Sequence, residues 1–181
     1  MLPHPPSPDE RSGPLGLWVF LVSESGLFLS LWVGTVILRL THLAVRSALE
    51  PQVPFSTGVA LSALVCLASV AASDSATSKD IHRTRTGWFL SMLLTLAFLA
   101  LQLASWRATG RAGLHLGPSV YASSYYVATA VHAAHVLAGL LWLAWAGVRR
   151  DLKTRMADSA LYFRFLAATQ LVTLGVVYGG A

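Results

Sequence analysis

Five long apolar segments constrain this chain more than any other feature of its sequence. Each contains between 18 and 29 residues, and a transmembrane helix needs about 20, with a range of about 17–25. Their apolar residues are continuous rather than alternating, which favours helices over the strands of a closed barrel. The sequence therefore predicts an all-α, polytopic membrane protein built as a bundle of five transmembrane helices. The predicted spans are residues 17–40, 55–73, 86–106, 120–148 and 161–178.

The composition excludes most soluble classes of protein. Of the 181 residues 55% are hydrophobic and 12% are charged, whereas soluble domains average about 45–50% apolar and about 25% charged residues. The single cysteine, Cys66, excludes a disulfide framework and a metal site built from cysteines. Residues 1–16, which include five prolines, are predicted to form an irregular tail. Residues 17–181 are predicted to form one five-helix domain.

The distribution of basic residues predicts the orientation of the bundle. Eight of the 13 Lys and Arg residues lie in the tail and in the loops 74–85 and 148–160, whereas four lie toward the other side, three of them in loops and Arg39 at the end of the first span. The positive-inside rule then places the N-terminus in the cytoplasm. This bias also accounts for the formal net charge of +5, so that binding to nucleic acid is not needed to explain it.

Glu24 is the most informative polar residue, because a carboxylate at membrane depth is costly and usually faces protein or water. Two interpretations carry similar weight. Glu24 is either a neutral carboxyl group hydrogen-bonded to a neighbouring helix, or a functional contact with a proton or a lipid. Gly26, Ser30 and Gly34 form a separate stripe of small residues, which is suited to close helix contact.

Three further side chains in the predicted spans are candidates for buried polar or lipid contacts. His132 and His135 share one face of the fourth helix, and buried hydrogen-bonding histidines are favoured over haem or metal ligands because no other span offers a histidine. Arg164 lies near the start of the fifth helix. Extension of its side chain to the lipid headgroups is favoured over a specific ion pair or contact with a lipid phosphate.

Two segments resemble a known family. In residues 18–28 an aromatic and apolar run leads to Ser23-Glu24, as in the first shared helix of subunit III of haem–copper respiratory oxidases. Residues 126–136 read Tyr-Val-Ala-Thr-Ala-Val-His-Ala-Ala-His-Val, which is similar to that family's aromatic-Val-Ala-Thr-Gly-Phe-His-Gly-Leu-His-Val. Residues 162–178 resemble the closing helix. The chain thus resembles the shorter, five-helix form that lacks the two leading helices of longer members.

Three departures from the family pattern indicate a divergent member. Ser105-Trp106 stand where the family typically has a Glu-Tyr pair. The closing helix has Tyr-Phe-Arg-Phe at residues 162–165 in place of aromatic-Trp-His-Phe, and Gly-Gly at 179–180 in place of a terminal Trp-Trp. These differences leave open a subunit III-like accessory protein of a nitric oxide reductase.

The resemblance implies a non-catalytic subunit in the bacterial inner membrane that holds no cofactor itself. Its expected partners are the catalytic subunit I, which holds the haem and copper, the other oxidase subunits and membrane lipids. Its expected role is to support assembly, lipid binding and proton uptake during aerobic electron transport. An alternative of another class is a self-contained membrane protein that binds haem or transports a solute.

Overall fold

The computed structural model describes residues 8–42, 53–115, 120–148 and 152–178, and these residues form five long helices. All five are long and apolar enough to cross a membrane, which confirms the predicted all-α, multi-pass fold. A π-helical turn, Leu174–Tyr178, continues the last helix. The helices are α1 (Pro8–His42), α2 (Phe55–Thr77), α3 (Ile81–Arg111), α4 (Val120–Val148) and α5 (Leu152–Thr173).

The helices extend beyond several of the apolar runs that predict them. Helix α3 begins five residues before the predicted span and ends five residues after it, and α5 begins at Leu152 rather than at residue 161. An apolar run marks only the part of a helix that lies in hydrocarbon, whereas the backbone hydrogen bonds continue into the interface. The predicted loop 74–85 therefore shrinks to a short connection between Thr77 and Ile81.

The predicted irregular tail also differs from the structure. Helix α1 begins at Pro8, so residues 8–16 are helical and residues 1–7 lie outside the described part of the chain. Proline suits the first position of a helix, because its missing N–H would have no intrahelical partner there. Of the five prolines among residues 1–14, Pro8 and Pro14 lie in this helix, so these two do not mark an irregular segment.

Helices α2, α3, α4 and α5 form the body of the bundle, and α1 packs at its edge. Helix α2 packs along α3 and α5, α4 packs on α3 and α5, and α1 contacts α4, α5 and the π-helical turn. The start of α1 lies beside the end of α4 and the start of α5, because residues of all three line one cleft. The N-terminal end of α1 is therefore at the same end of the bundle as the α2–α3 and α4–α5 connections.

The stripe of small residues on α1 is not a helix contact within this chain. No neighbouring atom lies within 4 Å of the position that a side-chain carbon would take at Gly26 or Gly34, and Ser30 is exposed. Within the described residues this stripe therefore makes no close helix contact, and its suitability for one stays a prediction. Helix α1 instead contacts the bundle through Leu21, Phe28 and Thr35, which are buried.

Candidate functional site

The centre of the candidate site is a hydrogen bond between Glu24 on α1 and His135 on α4. Glu24 Oε2 lies 2.7 Å from His135 Nε2, and the two side chains are 18% and 17% exposed. The Nδ1 atom of the same imidazole lies 2.7 Å from the carbonyl oxygen of Val131, one turn earlier in α4. The sequence identifies both residues as polar groups in the membrane, and the structure brings them together.

The two bonds of His135 determine how many protons the pair holds. The Val131 carbonyl can only accept a hydrogen bond, so His135 Nδ1 carries a proton and donates it. One further proton then lies between Nε2 and the carboxyl oxygen, either on Glu24 as a neutral acid or on His135 as an imidazolium. Both arrangements have a net charge of zero. A pair of this kind avoids the cost of an isolated charge at membrane depth.

His132 is adjacent to this pair but is not part of it. Its side chain is 1% exposed, and neither ring nitrogen has a hydrogen-bond partner among the described residues. It lies against the rings of Phe28 and Phe98, with centroid distances of 6.0 and 5.7 Å. Phe28 also contacts His135 at 5.0 Å. The aromatic ring of Phe28 therefore lies against both histidines.

Tyr162 connects the pair to a cleft at the N-terminal end of α1. Its hydroxyl donates to the His135 carbonyl oxygen at 3.0 Å, and its ring contacts Phe20 with a centroid distance of 6.3 Å. The cleft has a volume of about 830 Å³ and lies between α1, α4 and α5. Sequence reasoning missed Tyr162 as a site residue, although it lies in the segment that resembles the closing helix. The wall residues include Leu17, Phe20, Leu141, Trp142, Arg155 and Asp158.

Arg164 lies away from the Glu24–His135 pair. Its side chain is exposed, and its Nε donates to Ser73 Oγ of α2 at 3.1 Å. Ser73 immediately precedes Asp74, which forms an exposed ion pair with Arg83. The Arg164 guanidinium therefore lies beside an exposed, charged part of α2. Arg164 lies twelve residues after the first residue of α5 rather than near the start of that helix, because the helix begins at Leu152.

The sequence also offers four polar side chains as candidates for hydrogen bonds between helices: Gln102, Thr169, Gln170 and Thr173. Gln170 donates to Ser62 of α2 at 3.5 Å, and Thr173 accepts from Trp32 Nε1 of α1 at 3.1 Å. Thr169 bonds within its own helix, and Gln102 Nε2 has no partner among the described residues.

The described residues contain no group of three His, Cys, Asp or Glu side chains that could hold a metal ion. Two histidines on one face of one helix cannot supply the three or four converging ligands that a metal site requires. The candidate site is therefore a polar contact between α1 and α4 with an adjoining cleft.

Known proteins similar to this chain are named as subunit 3 of a cytochrome c oxidase or of a quinol oxidase. Residues 11–169 match the family model described as cytochrome c oxidase subunit III. Cytochrome c oxidase subunit 3 of Bacillus sp. (strain PS3) is 29% identical over 91% of this chain and 84% of the relative. The probable quinol oxidase subunit 3 of Staphylococcus saprophyticus is 24% identical over 95% of this chain and 96% of the relative.

A third relative is also named as a subunit of a quinol oxidase. The cytochrome bo(3) ubiquinol oxidase subunit 3 of Pseudomonas putida is 26% identical over 91% of this chain and 84% of the relative. The matched residues include both Glu24 and the His132–His135 segment, and they cover most of the five-helix bundle. By this match, the chain belongs to the cytochrome c oxidase subunit III family.

Proposed function

We propose that this chain is the non-catalytic subunit III of a haem–copper terminal oxidase in a bacterial inner membrane. It packs beside the catalytic subunit I, which holds the haem and copper, and alongside other oxidase subunits. The five membrane-crossing helices and the match over residues 11–169 support this role. The N-terminus lies in the cytoplasm, as the distribution of Lys and Arg predicts.

The observation that carries the proposal is the Glu24–His135 hydrogen bond. It joins the two segments that resemble the family, and it does so with a pair that holds one shared proton. In this proposal the pair fixes α1 against α4 and supports sustained proton supply to the catalytic subunit. His132 and Phe28 complete the buried contact around it.

The cleft beside the pair is the proposed lipid site. Its volume of about 830 Å³ lies within the range of about 300–1,000 Å³ that is usual for pockets for small organic ligands. Trp142 and Leu141 offer apolar walls for an acyl chain. Arg155 also lines the cleft, with its guanidinium carbon 4.1 Å from the centre of the Trp145 ring. A phospholipid would place its phosphate near Arg155, and Arg164 offers a second contact with headgroups on the far side of α5.

Affinity purification of the chain from its native membrane tests the role as a subunit. We expect a large haem–copper subunit to co-purify, and we expect the complex to consume oxygen. A partner that consumes nitric oxide instead would assign the chain to a reductase. Stoichiometric haem in the isolated chain that disappears in His132→Ala would contradict the proposal altogether.

Glu24→Gln tests the contribution of the pair to turnover. The amide still donates to His135 Nε2, but it cannot exchange the shared proton, so packing survives while protonation changes. We expect an initial oxygen-consumption rate within about twofold of wild type, followed by a progressive loss of activity during turnover. Ser25→Ala is the matched control, because its hydroxyl bonds only to the Leu21 carbonyl of the same helix. Full retention of activity in Glu24→Gln would limit Glu24 to packing.

A further inference from the structure

A groove lies on the outer surface of the bundle, between the last turns of α3 and the first turns of α4. Its volume is about 320 Å³, and Trp106, Tyr126, Val127 and Ala130 line it. Val127 is 46% exposed and Ala130 is also exposed, so the groove opens to the surroundings of the bundle. It lies near the α3–α4 connection and therefore at the opposite end of the bundle from the cleft between α1, α4 and α5.

Hydrogen bonds hold both aromatic walls of this groove in place. Trp106 Nε1 donates to Thr129 Oγ1 at 3.0 Å, and the Tyr126 hydroxyl donates to the Leu114 carbonyl oxygen at 2.9 Å. These polar groups are bonded within the chain, and the four described wall residues line the groove with apolar atoms alone. The groove is therefore formed before anything binds, which avoids the cost of ordering its side chains on binding.

The groove lies at hydrocarbon depth. Trp106 is the last residue of the predicted span 86–106, and Val127 and Ala130 lie within the predicted span 120–148. An ordered water needs about two to four polar partners, which the described walls of the groove do not offer. An apolar occupant is therefore favoured, and in a membrane it is either an acyl chain or an apolar side chain of another protein.

The size of the groove favours an acyl chain over a helix of another protein. One turn of an α-helix with its side chains is about 10 Å wide and about 5.4 Å long, so it fills about 420 Å³. This volume is larger than the whole groove, which could therefore admit only single side chains of a partner helix. An extended acyl chain is only one methylene group wide and can follow the groove along its length.

Two exposed arginines mark the end of the groove that is nearer the membrane surface. Arg107 directly follows Trp106, and Arg111 lies one turn farther along α3. The sequence has no Asp or Glu at positions 81–150, so neither α3 nor α4 offers a carboxylate to these guanidinium groups. Leu103, which is 49% exposed, lies one turn deeper than Arg107 on the same face of α3. The surface thus changes from cationic to apolar with increasing depth, as a bound anionic phospholipid requires.

We propose that this groove binds one acyl chain of an anionic phospholipid whose phosphate lies against Arg107 and Arg111. Arginine suits this contact, because its guanidinium group forms paired hydrogen bonds with a phosphate. The site is separate from the cleft beside Tyr162, and it does not depend on the role as an oxidase subunit. Its wall residue Trp106 stands at a position where the chain departs from the family pattern, so the groove is a feature of this divergent chain.

Photolabelling tests where an anionic lipid binds. The chain, purified with the subunits that accompany it, is reconstituted in phosphatidylcholine vesicles that contain a little phosphatidylglycerol with a photoreactive diazirine in one acyl chain. We expect light to attach this lipid to Leu103, Val127 or Ala130, which mass spectrometry of the peptides detects. Phosphatidylcholine with the same diazirine should label these residues about fivefold less, because arginine attracts anionic lipids. Equal labelling by both lipids would overturn the proposal, and so would the absence of label at these residues, as when another subunit covers the groove.

Two variants with matched controls separate the charge of the site from its shape. Arg107→Gln should lower labelling by phosphatidylglycerol about fivefold and leave labelling by phosphatidylcholine unchanged. Arg85→Gln removes a charge from an exposed position at the other end of α3 and should change neither. Ala130→Phe fills the groove without changing the charge, so it should lower labelling at Leu103 by both lipids. Ala97→Phe, at an exposed position outside the groove, should not. Labelling at the wild-type level in either Arg107→Gln or Ala130→Phe would overturn the proposal.

Discussion

Helices α2 and α3 are held together in a different way from α1 and the bundle. In the most apolar stretch of α2, 44% of the residues are buried, against 17% in α1. The α2–α3 contact depends on small residues that allow close approach, with hydroxyls such as Ser75 bonded to the Thr84 carbonyl at 2.6 Å. The α1 contact depends on a few specific groups, mainly Glu24, Phe28 and Trp32.

The two contacts should therefore respond differently to substitution. A contact formed by many small residues fails when one of them becomes large, because the backbones cannot move apart at a single point. A contact formed by a few polar and aromatic groups weakens with each group that is removed. Enlarging one small residue should therefore disrupt the α2–α3 contact, whereas removing one polar or aromatic group should weaken the contact of α1.

The largest expected effect is that of a large residue at Gly87. A side-chain carbon there would lie 2.8 Å from the Ala71 carbonyl oxygen and 2.7 Å from Ser75 Cβ. The carbonyl oxygen belongs to the backbone of α2, so it cannot relieve the clash by a change of rotamer. We expect Gly87→Leu to destabilise the bundle by about 3 kcal/mol or more, through overpacking. Thermal unfolding of the purified complex in detergent measures the loss. Gly26→Leu is the control, because Gly26 faces open space; equal losses in both variants would contradict the comparison.

An intermediate effect is expected for the bond between Trp32 and Thr173, which attaches α1 to α5. Trp32→Phe removes the donor but keeps an aromatic ring beside Phe28, where the ring centroids are 5.7 Å apart. We expect a loss of about 0.5–1.5 kcal/mol. A double-mutant cycle with Thr173→Val measures the coupling between the two side chains. A coupling energy near zero would show that Trp32 acts through packing alone.

The smallest effect is expected when the exposed ion pair between the end of α2 and the start of α3 is removed. Arg83 Nη2 lies 3.0 Å from Asp74 Oδ1, and the side chains are 66% and 48% exposed. We expect Asp74→Asn to cost about 0.2–1 kcal/mol at low salt, and less as ionic strength rises. Unfolding measured at two salt concentrations tests this expectation. A large loss at low salt that disappears at high salt would show that the hairpin depends on charge rather than on close packing.

The fold was more accessible to sequence reasoning than the site. Every span was predicted because hydrocarbon imposes one requirement on all of them, a continuous apolar helix of sufficient length. The helix ends were predicted less well, as α3 and α5 show. Outside hydrocarbon the helices continue by local hydrogen bonds, which leave no strong pattern of hydrophobicity.

Glu24 and His135 were predictable as members of the candidate site, but their pairing was not. Glu24 and His135 stand out because polar groups at membrane depth need partners. Nothing in their spacing along the chain determines that Glu24 meets His135 rather than His132. Trp88 illustrates the same limit. Its position near a helix end predicts an interfacial anchor, whereas its indole donates to the Leu143 carbonyl of α4 at 2.8 Å.

The amino-acid sequence is enough to predict a membrane protein of five helices and to single out the few polar residues within its spans. The packing of the helices is what pairs Glu24 with His135 and places Tyr162 beside them. It also leaves the ring nitrogens of His132 without a hydrogen-bond partner among the described residues. The physical reason is that helix formation in the membrane is a property of each segment, whereas contacts between helices are a property of the whole bundle. Transfer into hydrocarbon acts on each segment separately, whereas a hydrogen bond between helices depends on how each helix is rotated and how deep it lies in the bundle.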